Sequence, residues 1–288
     1  MRTRTARRVG PAAAVAVALI SVTSCSGAGT ADLVAALRKI EKKTDGVSSA
    51  KVEGTIEMGD LMSMKQTGVV GWADGLSGSM QITYTGGSMA GVLKQGGGNG
   101  AMEARYYKDG YAVNMGDAFA AQTGGKHWIS YRYADMAELA GASGEAMKQQ
   151  MQSAAPNQGV RSLLASGDVE KVGEEDVRGV STTHYSGTLD VAELTGKDSG
   201  LDDKQLAELK QQLNEAGIST EQVDIWVDKN DLLIKKTERA KMKTGEMNVT
   251  MYYSDYGTKV SAEKPPAADT ATFTDVMKDL EKSVAQAG

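Results

Sequence analysis

Three stretches of the chain alternate apolar and polar residues one by one. In Val52-Glu53-Gly54-Thr55-Ile56-Glu57-Met58 the small and apolar residues take the even positions and the polar ones the odd. Met80, Ile82 and Tyr84 alternate with Gln81, Thr83 and Thr85 between Ser79 and Thr85. Met247, Val249, Met251 and Tyr253 do the same against Asn248, Thr250 and Tyr252. A period of two sends successive side chains to opposite faces, so each stretch predicts a strand with one dry and one wet face, as in antiparallel sheets. Asp-Gly falls between strand-like runs at Asp74-Gly75 and Asp109-Gly110, a strong hairpin signal. Val223 to Asp228, Lys229-Asn230-Asp231 and Leu232 to Ile234 predict a third hairpin. Adjacent strands in a meander are expected, not parallel crossovers.

Elsewhere the period is helical. Leu33, Leu37 and Ile40 share one face of Asp32 to Lys43, and Leu201, Leu206, Leu209 and Leu213 stripe Leu201 to Ala216, which Gly217 ends. Asp135 to Ser153, rich in Ala and Met, predicts a helix stopped near Pro156, and Val160 to Ala165 adds a turn or two. After Pro265-Pro266, Thr274 is placed to cap a C-terminal helix through Val276, Leu280 and Val284. Gly86 to Gly100 reads as a glycine-rich loop. The class is α+β.

The N-terminus fits neither period. Arg2, Arg4, Arg7 and Arg8 form a basic start, and the apolar run Pro11 to Ile20 is too short to span a bilayer. Val22-Thr23-Ser24-Cys25 then fits a lipobox, whose small residues seat in a tight peptidase cleft and whose thiolate accepts a diacylglyceryl group. Residues 1–24 are expected to be an export signal, Cys25 the lipid attachment, 25–30 a tether and 31–288 one domain. Cys25 is the only cysteine, so no disulfide framework exists and the fold must rest on its core. Two acyl chains anchor firmly where one is marginal. The membrane, at its extracytoplasmic face, is thus the first expected partner of a monomeric protein. Without the four signal arginines, 28 basic residues face 37 acidic ones, a net charge of −9. With aromatics at 5% and no basic patch, nucleic-acid binding is excluded.

Signals for chemistry are sparse. His127 and His184 lie far apart, with no Cys, His or Glu at metal-ligand spacing. Gly86-Gly87-Ser88-Met89-Ala90 misses the nucleophile elbow at Ala90, and the glycines after it argue against the required helix. Gly124-Gly125-Lys126 lacks the rest of a phosphate loop. Glu174-Glu175-Asp176 reads as a solvated turn, and Asp202-Asp203 as acids favouring a helix start. No catalytic residue, metal or cofactor is expected. What stands out is fifteen methionines against two phenylalanines. Met58, Met80, Met247 and Met251 fall on the dry strand faces, and Met136, Met147 and Met151 on the helix after Asp135. Flexible, polarizable thioethers either fill a core short of aromatics or line a cavity for a variable apolar ligand.

The order of features resembles actinobacterial surface lipoproteins of the LppX/LprG type, related in fold to the carrier LolA. It runs from the lipobox and first helix to Val52-Glu53-Gly54, then Leu163-Leu164-Ala165-Ser166-Gly167 and Val172 to Gly179. Thr183 to Asp190, Trp226-Val227-Asp228 and Tyr256-Gly257 complete it. The resemblance implies a half-barrel: a strongly curved antiparallel sheet with helices packed on its concave face and an apolar cavity between. It implies carriage of a lipid or lipoconjugate; the dry-face residues of the alternating strands, Met58, Met80, Ile82, Tyr84, Met247, Val249 and Met251, are then the expected cavity lining. Asp231 stands where that pattern has glycine, and 86–100 has no counterpart in it. The alternative is a non-enzymatic surface interaction module, with the same fold packed solid and a protein partner outside.

Overall fold

The computed structural model describes residues 29–140, 156–166, 168–194, 203–261, 263–278 and 282. The expected signal 1–24, Cys25, Met147 and Met151 lie outside them. Two meanders meet side by side. The first runs outward as β1 (Ser49–Met58), β2 (Met62–Gly71), β3 (Ser77–Gly86), β4 (Ala101–Tyr107), β5 (Gly110–Asn114) and β6 (Trp128–Arg132). The second starts at the far edge and returns as β7 (Val169–Val177), β8 (Val180–Asp190), β9 (Thr220–Asp228), β10 (Leu233–Met242) and β11 (Gly245–Ser254). Strand β11 then pairs with β1, from Lys51 opposite Ser254 to Met58 opposite Met247. A short β12 (Thr270–Thr272) closes the order β12-β6-β5-β4-β3-β2-β1-β11-β10-β9-β8-β7, and the sheet stays open between β12 and β7. Every pairing is antiparallel except β12 on β6, a departure from the expected meander.

All three alternating stretches are strands in the expected phase, and all three predicted hairpins form. Asp231 takes φ +63° in the last of them, the left-handed conformation that glycine would otherwise supply there. Asp228 Oδ1 closes this turn by accepting from the N–H groups of Asn230 and Leu232, both at 2.9 Å.

Helices α1 (Thr30–Asp45) and α5 (Gln158–Ser166) cover the dry face, while α2 (Gly87–Gln95), α3 (Asp117–Ala120), α4 (Tyr133–Ala140) and α6 (Asp203–Ala216) fall in connections. Leu37 and Ile40 of α1 and Val160, Leu163 and Leu164 of α5 join Val52, Val223, Ile225, Leu233 and Leu189 in one buried cluster. Arg161 Nε bonds Glu41 Oε1 at 2.8 Å and ties the two helices together. The segment 160–165, slight in the sequence, is therefore central to the core.

Two expectations are corrected. The stretch 86–100 is not a loop throughout, because Gly87–Gln95 is helical. Its glycines sit mostly at the ends, and its first-turn N–H groups find acceptors in the β1–β2 turn: Ser88 to Asp60 O at 2.9 Å and Met89 to Leu61 O at 3.0 Å. Ala90 is the residue this helix buries against the sheet. Near the C-terminus residues 273–278 are helical, and the cap is Thr272, whose Oγ1 accepts from the Asp275 N–H at 3.1 Å, not Thr274.

Candidate functional site

The seven residues expected to line a cavity do share one face. Register places Met58 opposite Met247, Ile56 opposite Val249, and Gly54 opposite Met251 across β1 and β11. On the other side, Gly68 of β2 faces Met80, Gln66 faces Ile82, and Met64 faces Tyr84. A side chain at Gly54 would collide with the Met251 sulfur, so the bare backbone gives that thioether its place. The face divides in two. Met80, Met247, Val249 and Met251 belong to the buried cluster beneath the helices, with Gln66 Nε2 reaching the Met251 sulfur at 3.3 Å. Met58, Ile82 and Tyr84 are only half-buried, and burial raises the Tyr84 phenol pKa above its ordinary value.

Register adds residues that the sequence reading passed over. Met62, Met64, Met102 and Met242 lie on the same face, through Met58↔Met62, Ile56↔Met64, Ile82↔Met102 and the β10–β11 pairing. Eight of the fifteen methionines therefore share one side of the sheet. The alternation Met62-Ser63-Met64-Lys65 would have revealed the first two. Toward β6 the methionines give way to tyrosines: Tyr106, Tyr111 and Tyr131 follow in register, the last two stacked at 4.7 Å. Burial pushes the Tyr106 phenol up to about 12.

The same face carries a charged set that the sequence did not announce. Lys236 Nζ meets Glu238 Oε1 at 2.7 Å, with both side chains largely buried beside Met251 and Val249. Gly159 of α5 lies directly above; a β-carbon there would stand 2.5 Å from Lys236 Cδ. Burial opposes charge on Lys236, but Glu238 and Tyr253 outweigh it and hold the ammonium pKa above its usual value. Glu221 lies nearby, 7% exposed, and burial together with the Glu238 charge pushes it up to about 7. No pattern flags Lys236 and Glu238, because a register shift between Leu233 and Lys235 breaks the alternation of β10, whereas Glu221 continues the inward alternation of Val223, Ile225 and Val227.

On the wet face Asp224 accepts from Ser186 Oγ at 2.8 Å and Thr237 Oγ1 at 3.2 Å, and lies 2.9 Å from His184 Nε2. Gln222 Nε2 donates to Ser186, Thr188 Oγ1 to Gln222, and Trp226 Nε1 to Glu175. Glu175 Oε1 also sits 3.0 Å from His184 Nδ1, so this acid is engaged rather than simply solvated. The His184 ring stacks on Trp226 at 4.3 Å, with Lys235 Nζ 3.8 Å from the indole centroid. Ser186 gives its proton to the carboxylate and not to the imidazole, so the trio is not a nucleophile and its base. The two acids hold opposite ends of the ring, and among the described residues no group of three His, Cys, Asp or Glu is placed to hold a metal. Among those residues no helix is long and apolar enough to cross a membrane.

No protein-family model matches the chain. Among solved structures, the Mycobacterium tuberculosis lipoprotein LppX is 14% identical, covering 80% of this chain and 98% of that one, with a TM-score of 0.47. LprF from Mycobacterium bovis is 16% identical, covering 84% of this chain and 100% of that one, also at 0.47. Sequence relatives are nearer. An uncharacterized 31.2 kDa protein of the rplA–rplJ intergenic region in Streptomyces griseus is 65% identical, over 85% of this chain and 80% of its own length. A candidate lipoprotein of Streptomyces coelicolor is 41% identical, over 95% of this chain and 97% of its own length. At that identity over nearly its whole length, the chain belongs to the Streptomyces family that contains this candidate lipoprotein.

Proposed function

We propose that the protein is a lipid-anchored extracytoplasmic binding protein that carries or sequesters a lipid or acyl-chain ligand against the dry face of its sheet, without covalent chemistry. The observation that carries this is the gathering of eight methionines on that face, three held in the buried cluster and five only half-buried. Thioethers adapt to chains of differing shape. The tyrosines beyond them offer hydroxyls where a headgroup would begin. Anchoring through Cys25 is supported by the lipobox and by the relative described as a candidate lipoprotein.

Mass spectrometry of the natively expressed, detergent-extracted chain tests both parts at once. It should find an acylated Cys25 at the N-terminus and a co-purified lipid. Ile82→Trp should enter open space at little cost and reduce uptake of a fluorescent acyl probe, whereas Thr83→Trp on the opposite face should not. If the face is packed solid, Ile82→Trp will instead cost about 1–3 kcal/mol by overpacking, and the parent will take up no probe. That result would favour the interaction module.

A further inference from the structure

The wet face of β1–β3 holds a groove of about 440 Å³, within the range of small-molecule sites. Its floor is a grid of two rows set by register. Thr55, Lys65 and Thr83 stand opposite one another across the three strands, and Glu53, Thr67 and Gln81 form the next row. One end is walled by Arg178 and Tyr252. Arg178 belongs to the β7–β8 turn, and β8 is four strands from β1 in the sheet order. In a flat sheet that is about 20 Å at 4.7–4.9 Å per strand. The contacts of Arg178 bring this corner over the wet face, in keeping with the twist of a large sheet. The turn itself runs through Arg178 and Gly179, both at positive φ. Arg178 then reaches Glu53 Oε1 at 2.9 Å and lies 3.6 Å from the Tyr252 ring centroid. A second hollow of about 150 Å³ continues past Gln81, between Ser79, Glu103 and Arg105 and the C-terminal strap at Ser261 and Glu263.

The side chains of five of the floor residues, Thr55, Lys65, Thr67, Gln81 and Thr83, have no hydrogen-bond or ion-pair partner among the described residues. They present three hydroxyls and an amide, each able both to donate and to accept, and one ammonium. Glu53 and Arg178 neutralise each other, and Arg178 holds the Glu53 carboxyl below its usual range, which leaves Lys65 as the net charge. Strands β1–β3 are interior, so no sheet edge is available to pair with a peptide. The lining offers no aliphatic pocket for a protein anchor. Alternating donors and acceptors on a flat floor match a ligand made of hydroxyls. We propose that this groove is a carbohydrate-binding site, taking a neutral or singly acidic sugar chain across the three strands. The site lies on the face opposite the helices and does not depend on the lipid-carrier reading.

Saturation-transfer NMR and calorimetry on the full chain, with chitotetraose, maltotetraose and 3′-sialyllactose (one carboxylate) as probes, test it. At least one probe should bind with Kd of about 1 mM or tighter. The double variant Thr67→Val/Gln81→Ala should weaken that binding tenfold or more, and Thr83→Val alone severalfold. Ser186→Ala, in the bonded network on the same face, should leave it unchanged. The assignment fails if none of the three probes binds, or if the double variant binds like the parent. Acyl-probe uptake by the double variant should equal the parent's, which keeps the two readings separable.

Discussion

Two polar regions of the wet face, β8–β10 and β1–β3, use their polar groups in opposite ways. Across β8–β10 the side chains satisfy one another: Asp224 gathers Ser186, His184 and Thr237, and Gln222 bridges Ser186 to Thr188. Asp224, Ser186 and Thr237 are each less than 10% exposed as a result. Across β1–β3, the side chains of Thr55, Thr67, Gln81 and Thr83 stand exposed with no partner among the described residues. The residue types are much the same. What differs is whether the hydrogen-bonding capacity is used internally, where it serves stability, or left for something outside. A comparison of that kind can be broken by experiment.

The largest effect should come from the bonded half. Asp224→Ala removes the acceptor shared by Ser186, Thr237 and His184, and leaves buried donors unpaired. A loss of about 2–4 kcal/mol is expected, since each buried donor left unsatisfied costs about 1–3 kcal/mol. Urea unfolding measures it. A loss under about 1 kcal/mol would mean that this half is as open to solvent as the other.

The inner face of the same strands supplies a case between the two. Glu238 has Lys236, but Glu221 gains no cation of its own and sits at about 7, raised first by burial and then by Glu238. In an unfolded chain a glutamate titrates near 4.3. Between these values the folded protein holds a proton that the unfolded one has released, so stability falls as pH rises through that window. The loss is complete above about pH 7 and should be on the order of 1–3 kcal/mol. Glu221→Gln should therefore raise the melting temperature at pH 8 and change it little at pH 5. An equal effect at both values would show that Lys236 already neutralises both acids.

These contrasts also explain what could be read from the sequence. Val52 to Met58 and Ser79 to Thr85 gave strand, phase and dry face together, because a half-buried antiparallel strand leaves its period in the residues. The Asp-Gly turns gave the hairpins for the same local reason. The network around Asp224 did not show, since its partners lie on the two neighbouring strands β8 and β10 and nothing local marks Ser186 or Thr237 as its donors. Lys235-Lys236 is two adjacent lysines in the sequence, and only register separates them, one against Trp226 outside and one under Gly159 inside. Helix α2 was missed because glycine counts argue against a helix, whereas tertiary acceptors for its first turn decide the matter.

Arg178 joins the two halves, and its removal should cost less. Its pair with Glu53 leaves both side chains about half exposed, and its contact with Tyr252 lies at the surface. Each such contact contributes about 0–1 kcal/mol. Arg178→Ala should thus lower stability by about 1 kcal/mol at most, while the Glu53 carboxyl returns toward its usual pKa range. Hydrogen exchange should quicken at the β7–β8 tip and leave β9 and β10 protected. Faster exchange in β9 would mean that the corner supports the bonded half as well as walling the groove.

The smallest effects should fall on the groove floor, and their smallness is the point. Thr67→Val and Thr83→Val delete a hydroxyl from an exposed, unpartnered strand position and keep the branched shape that suits a pleated surface. Surface changes away from any bonded feature usually stay within about 0.5 kcal/mol. In each variant the unfolding midpoint should therefore hardly move, and a slight gain is as acceptable as a slight loss. If either threonine costs more than about 1 kcal/mol, its hydroxyl is committed within the folded protein, the contrast with the Asp224 half disappears, and the groove loses its spare hydrogen bonds. If stability holds while sugar binding falls, the two properties have been separated at a single oxygen atom, which a solvated, purely structural surface would not permit.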